Sequence, residues 1–93
     1  MAGYRWIAEV ECDGSSFALP AGEEVELNDS LTCEVNPPAR IVGGGEKAAV
    51  YCSVDGIGVG VSTMCTAEVA DSTAELRAGG CRVRLMCSGS VGP

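Results

Sequence analysis

Apolar and polar residues alternate with a period of two along most of this chain. In residues 4–12, aromatic and aliphatic side chains occupy every second position, and charged side chains fill most of the positions between them. The same alternation returns in 24–27, 31–35, 48–54, 59–69 and 81–87. A period of two predicts extended strands with one face buried, and no segment shows the 3.6-residue period of an amphipathic helix.

Turn-forming residues separate these runs at intervals of about eight to twelve residues, which is typical of β-sandwiches and small barrels. Asp55-Gly56 is a two-residue hairpin signal. Asn36-Pro37-Pro38 is expected to end a strand, and the triple glycine at 43–45 to loosen the next segment. The pattern predicts one all-β domain over 1–93, a small Greek-key-like sandwich or barrel of about seven to nine short strands. Residues 88–93 are expected to form a frayed tail.

Six cysteines can cross-link the predicted strands through disulfides. Strand parity places all of them on the apolar side of their strands: they are Cys12, Cys33, Cys52, Cys65, Cys81 and Cys87. Inward cysteines on different strands are expected to bridge the two layers as disulfides. Six cysteines allow 15 connectivities. A Cys81–Cys87 bond is not expected, because residues six apart on one strand are roughly 20 Å apart.

Cysteine content also indicates the compartment. A short chain with six cysteines is typical of an oxidising environment, so we expect a secreted, periplasmic or virion-surface location. Residues 1–20 show no secretory signal, and we expect either that one has been removed or that export follows another route. No apolar run is long enough for a membrane span. A metal-thiolate or redox site would favour Cys-x-x-Cys spacing, which this chain lacks.

Charge and the absence of histidine narrow the classes of function. The formal net charge is −7, and residues 1–36 hold eight acids against the single base Arg5. Nucleic-acid binding needs clustered lysine and arginine, so no nucleic-acid partner is expected. Without histidine the Ser–His–Asp and Cys–His catalytic arrangements are excluded. We expect no enzyme and no cofactor.

The segment PPARIVGGG, residues 37–45, contains a short familiar motif. Its residues 40–44, Arg-Ile-Val-Gly-Gly, resemble the activation site of trypsin-like serine proteases. That family's histidine and Gly-Asp-Ser-Gly-Gly motif are absent. The alternative is an inhibitor, in which the 36–47 loop presents Arg40-Ile41 to such a protease.

The segment NDSLTC, residues 28–33, suggests a second alternative. It resembles the calcium motif of βγ-crystallin domains, with Cys33 in place of the final serine, and it occurs once. Those domains are Greek-key sandwiches of similar length. The resemblance implies a calcium ion bound by Asn28, Asp29 and Thr32 through hard oxygen ligands.

The main functional expectation is a non-catalytic, extracytoplasmic or virion-surface module that binds or structures a partner through its loops. The expected partner is a protein or a glycan, with Arg40 and Ile41 as the candidate contact residues. A homo-oligomer or a capsid or surface lattice is a further expectation. Four large apolar residues have outward parity and would mark an assembly face if they cluster: Ile7, Tyr51, Met64 and Met86.

Overall fold

The computed structural model describes residues 3–90, which form eight β-strands and no helix. The strands are β1 (Gly3–Cys12), β2 (Ser15–Ala18), β3 (Glu24–Asn28), β4 (Leu31–Arg40), β5 (Glu46–Val54), β6 (Ile57–Cys65), β7 (Asp71–Ala78) and β8 (Cys81–Ser90). They make two four-stranded antiparallel sheets: sheet A, in the order β2-β1-β8-β7, and sheet B, in the order β3-β4-β5-β6. The sequence-based prediction of a small all-β sandwich is confirmed. No helix in the described range is long and apolar enough to cross a membrane.

Strand order follows chain order more simply than expected. Every hydrogen-bonded strand pair joins consecutive strands except β1 with β8, which brings the two ends of the chain together. This is an up-and-down order, which differs from the expected Greek-key arrangement. Tight turns explain the difference, since they return the chain directly to the neighbouring strand. Three of these turns, Asp13-Gly14, Asp55-Gly56 and Gly79-Gly80, have positive φ at both residues, as type I′ hairpins require.

The core lies between the sheets and is built from the alternating inward residues of the central strands. Seven side chains are almost fully enclosed: Leu31, Leu85, Val10, Val50, Val83, Cys33 and Cys65. No polar or charged residue of the described range is buried. The fold is therefore stabilised mainly by apolar burial and by disulfides.

All six cysteines are paired, but the pairing differs from the expected set of layer-to-layer bridges. Cys12–Cys81 joins β1 to β8 inside sheet A, and Cys33–Cys52 joins β4 to β5 inside sheet B. Only Cys65–Cys87 connects the two sheets. The in-sheet pairs lie directly opposite each other, with Cα–Cα distances of 4.4 and 4.0 Å, so inward parity alone does not distinguish a neighbour from the facing layer. As expected, Cys81 and Cys87 each pair elsewhere.

Two segments continue further than predicted. β4 runs through Pro37 and Pro38, where the prediction ended a strand, because a register shift between Asn36 and Ala39 accommodates the prolines. Residues 88–90, expected in the frayed tail, belong to β8 and pair with the start of β1. Residues 91–93 of the predicted tail lie outside the described residues.

Candidate functional site: a cleft beside the β4–β5 loop

A concave surface lies where the start of β1 meets the β4–β5 hairpin. It encloses about 360 Å³ and is lined by Gly3, Tyr4, Arg40, Ile41, Gly44, Gly45 and Glu46. We call it the loop cleft. It combines an aromatic ring, a guanidinium, a carboxylate and glycine backbone within a volume typical of small-ligand sites.

Arg40 is the cationic group of the loop cleft. It is the last residue of β4 and lies opposite Glu46, the first residue of β5, in the strand register. The side chain is exposed, and no carboxylate within residues 3–90 is within ion-pair distance of its guanidinium. The guanidinium is therefore available to a ligand and presents several hydrogen-bond donors in a planar fork.

Glu46 supplies the anionic group, and Trp6 fixes its position. The Trp6 indole Nε1–H donates to Glu46 Oε1 over 2.8 Å. This bond joins β1 of sheet A to β5 of sheet B and satisfies the indole donor of a half-buried ring. The second carboxylate oxygen of Glu46 has no hydrogen-bond partner in the described part of the chain, so it can accept from a ligand.

The glycine-rich loop between β4 and β5 packs closely against the end of β6. Gly45 has a φ of 103°, and a Cβ added to it would lie 2.5 Å from the backbone oxygen of Cys65. Only glycine allows this approach. Within the loop, the Ile41 N–H donates to the Gly45 carbonyl over 3.3 Å, and the Gly44 N–H donates to the Ile41 carbonyl over 3.2 Å. The glycines expected to loosen this segment therefore allow close packing.

This backbone geometry bears on the inhibitor alternative. The reactive loop of a substrate-like inhibitor must offer free extended backbone to pair with the protease. Here Arg40 already pairs with Glu46 in the sheet, and both backbone groups of Ile41 are hydrogen-bonded within the loop. The Arg40–Ile41 bond lies at the entrance of a five-residue hairpin loop, where the backbone groups of Ile41 are already engaged.

The candidate calcium residues serve the turn between β3 and β4. Asn28 Oδ1 accepts from the Ser30 backbone N–H at 3.0 Å and from the Ser30 hydroxyl at 3.2 Å. Asn28 Nδ2 donates to the Gly79 carbonyl at 3.0 Å, which ties this turn to the β7–β8 turn of sheet A. Asp29 lies in the turn and Thr32 in β4. Residues 3–90 contain no cluster of three or more acidic, cysteine or histidine side chains that could hold a metal.

The outward hydrophobic residues do not form one patch. Ile7 and Met86 are register partners on sheet A, whereas Tyr51 and Met64 lie on sheet B in different rows. Tyr51 is opposite Gly60, and Met64 is opposite Lys47. The sequence therefore predicted correctly that these four residues face outward. The tertiary structure places two of them on each of the opposite sides of the sandwich.

A wider depression of about 500 Å³ lies between the β1–β2 and β7–β8 turns, beside the Cys12–Cys81 disulfide. Its Arg82 is already paired, since Arg82 Nη2 donates to Glu11 Oε1 over 2.6 Å. The loop cleft is the stronger candidate because its guanidinium has no such partner within the described residues.

No protein-family model, curated protein or solved structure matches this chain. Sequence reasoning pointed to Arg40 and Ile41 but missed Tyr4 and Glu46, which come together with them only through the β1–β5 contact. The available signal was the scarcity of aromatic residues, since Tyr4 and Trp6 are two of only four in the chain.

Proposed function

We propose that this protein is a non-catalytic binding module of an oxidising extracytoplasmic compartment, and that it holds a glycan in the loop cleft. The observation that carries the proposal is the joint lining of one cleft by Tyr4, Arg40 and Glu46. Three disulfides in a small domain are typical of extracellular proteins and support the location.

A glycan fits this set of groups. The face of a tyrosine ring packs against the apolar C–H face of a sugar, while its hydroxyl remains free to bond. Arg40 can donate to two adjacent hydroxyl groups, and Glu46 can accept from a third. The carboxylate is held by Trp6, so less side-chain entropy is lost on binding.

The loop cleft is also a better binding surface than the other connections between strands. The seven described connections between strands have either two or five residues, and four of them are tight two-residue turns. Such turns present little surface of their own. The five-residue β4–β5 loop is different because, together with β1, it borders a cleft whose guanidinium has no ion-pair partner within residues 3–90.

The test is a glycan array followed by calorimetry on the best ligand. We expect saturable binding that is at least about tenfold weaker in Arg40→Ala and in Glu46→Gln. Lys47→Ala is the matched control, because Lys47 adjoins Glu46 in β5 but does not line the cleft, and its binding should equal that of the unmodified protein.

Two results would contradict the proposal. The first is the absence of saturable binding to any glycan, and the second is binding that neither cleft substitution weakens. Stoichiometric inhibition of a trypsin-like protease that Arg40→Ala abolishes would favour the inhibitor alternative instead.

A further inference from the structure

The outer edge of β6 lacks the features that normally protect the edge of a sheet. β6 pairs with β5 only, so one side of its nine residues is unpaired within the described structure. Its sequence, IGVGVSTMC, contains no charged residue and no proline. Natural proteins usually protect such an edge with charges, proline, bulges or short strands.

Backbone alternation identifies which groups of β6 are unpaired. The two-residue turn makes Val54 and Ile57 the closing hydrogen-bonded pair of the β5–β6 hairpin. From Gly58 onward, the N–H and C=O groups of every second residue then point away from β5. These residues are Gly58, Gly60, Ser62 and Met64. All four residues are exposed, and no other backbone partner is recorded for them within residues 3–90. Gly58 and Gly60 have no side chain to shield these groups.

The core side of the same strand is also incompletely covered. Ile57 and Val59 have inward parity but remain 69 % and 41 % exposed. β6 is held close to sheet A at its other end by the Cys65–Cys87 disulfide and by the contact between the Thr63 and Ser72 hydroxyls. The two edge strands β6 and β7, which belong to opposite sheets, therefore lie close together near Cys65. Near Ile57 the apolar side chains of β6 are left uncovered.

The three other sheet edges are less suitable for pairing. β2 has only four residues, and β3 carries Glu24 and Glu26 with a register shift after Glu26. β7 carries acidic and basic side chains that already take part in ion pairs through Glu75 and Arg77. Among these edges, β6 alone combines length, exposure and the absence of charge.

We infer that a second copy of this chain pairs with β6 edge to edge, antiparallel, across a two-fold axis. Two copies of a chain of net charge −7 repel each other wherever their like charges face. β6 carries no charged residue, so two copies can meet at this edge without placing like charges opposite each other. A two-fold axis makes the edge self-complementary, because each free N–H of one copy faces a free C=O of the other.

One register satisfies all the free groups. With Val61 opposite its symmetry mate, Gly58 faces Met64 of the second copy and Gly60 faces Ser62. Four such pairs, each exchanging two hydrogen bonds, give about eight bonds. The Met64 side chain, 45 % exposed here, would then lie over a glycine that offers no steric obstacle. The product is one continuous eight-stranded sheet.

The experiment measures molar mass by light scattering and sedimentation from micromolar to millimolar protein. We expect a concentration-dependent dimer, with slower amide exchange at Gly58, Gly60 and Ser62 as the dimer forms. Ser62→Pro should weaken dimerisation at least about tenfold, because it removes a donor that the β5 ladder does not use. Ser62→Lys tests the same edge with charge in case the proline variant does not fold.

Ser53→Lys is the matched control, since Ser53 is exposed on the outer face of sheet B but belongs to the inner strand β5. It adds the same charge and should leave dimerisation unchanged. A protein that stays monomeric at millimolar concentration overturns the inference. A dimer that survives both Ser62 variants also overturns it and places the contact elsewhere. Glycan binding by the loop cleft is measured separately and is independent of either result.

Discussion

The strands of the two sheets differ in the balance of their charges. The strands of sheet A carry four acids and four arginines, a balance of zero: Glu9, Glu11, Asp71 and Glu75 against Arg5, Arg77, Arg82 and Arg84. The strands of sheet B carry four acids against Arg40 and Lys47, a balance of −2. The remaining five acids lie in turns. Sheet A therefore neutralises itself, and sheet B does not.

Strand register produces the pairing on sheet A. Glu11 lies opposite Arg82, and Glu75 lies opposite Arg84, so unlike charges meet across neighbouring strands. Arg82 Nη2 binds Glu11 at 2.6 Å, and Arg82 Nε lies 3.8 Å from Glu75. Arg82 therefore lies between two carboxylates of its own sheet.

Sheet B is built from smaller residues around one aromatic ring. Tyr51 lies against Gly60, where an added Cβ would be 2.7 Å from its Cδ1, so the glycine gives the ring its place on the sheet. Glu34 and Glu24 continue the same row across β4 and β3. The difference between the sheets shows that register, which sets charge pairing on sheet A, sets aromatic–glycine packing on sheet B.

The largest expected difference between the sheets concerns their internal disulfides. Replacing both Cys12 and Cys81 by alanine opens a sequence separation of 69 residues and should cost about 4 kcal/mol of unfolding free energy. The corresponding change at Cys33 and Cys52 opens a separation of 19 and should cost about 3 kcal/mol. Denaturant unfolding checks this order. A greater loss of unfolding free energy on removal of the sheet B disulfide would show that loop length does not determine how much these two disulfides stabilise the fold.

A smaller effect is expected from alanine at the two glycines of β6. Gly60→Ala forces the Tyr51 ring away and should cost about 1 kcal/mol. Gly58→Ala meets nothing within 4 Å and should be neutral, or stabilising by about 0.5 kcal/mol, because strand glycines cost conformational entropy. Thermal unfolding gives both values, and near-ultraviolet circular dichroism reports the tyrosine. Equal effects at the two positions would contradict the proposed packing.

The smallest effect is expected from the charge network of sheet A. Arg82→Gln should cost about 0.5 kcal/mol at low salt, and less as salt rises, because the ion pair with Glu11 is partly exposed and screened. Lys47→Gln on sheet B is the control, since no ion pair of Lys47 is recorded among residues 3–90, and it should change stability little. Unfolding measured across a salt series separates the two variants, and a salt-independent loss at Arg82 would attribute its effect to packing.

Particular residues show how far sequence reasoning reached. The alternation around Val83 and Leu85 predicted β8 and its buried face, and Asp55-Gly56 predicted its hairpin, because both signals are local. Pro37 and Pro38 misled the prediction, since a bulge accommodates them within β4. Arg40 was named from a motif of five residues, whereas Glu46 and Tyr4 belong to no motif, and only the scarcity of aromatic residues pointed to Tyr4.

The sequence by itself determined an all-β chain, its two-residue turns, the inward direction of its cysteines and its charge. Period-two alternation and turn chemistry act over a few residues, so they can be read without knowing the partners of a strand. Only the tertiary structure decided which cysteines meet, which charges pair and where the loop cleft and the open β6 edge lie. Each of those depends on the register and order of strands that are distant in the chain, and a one-residue shift would move every such contact to the other face.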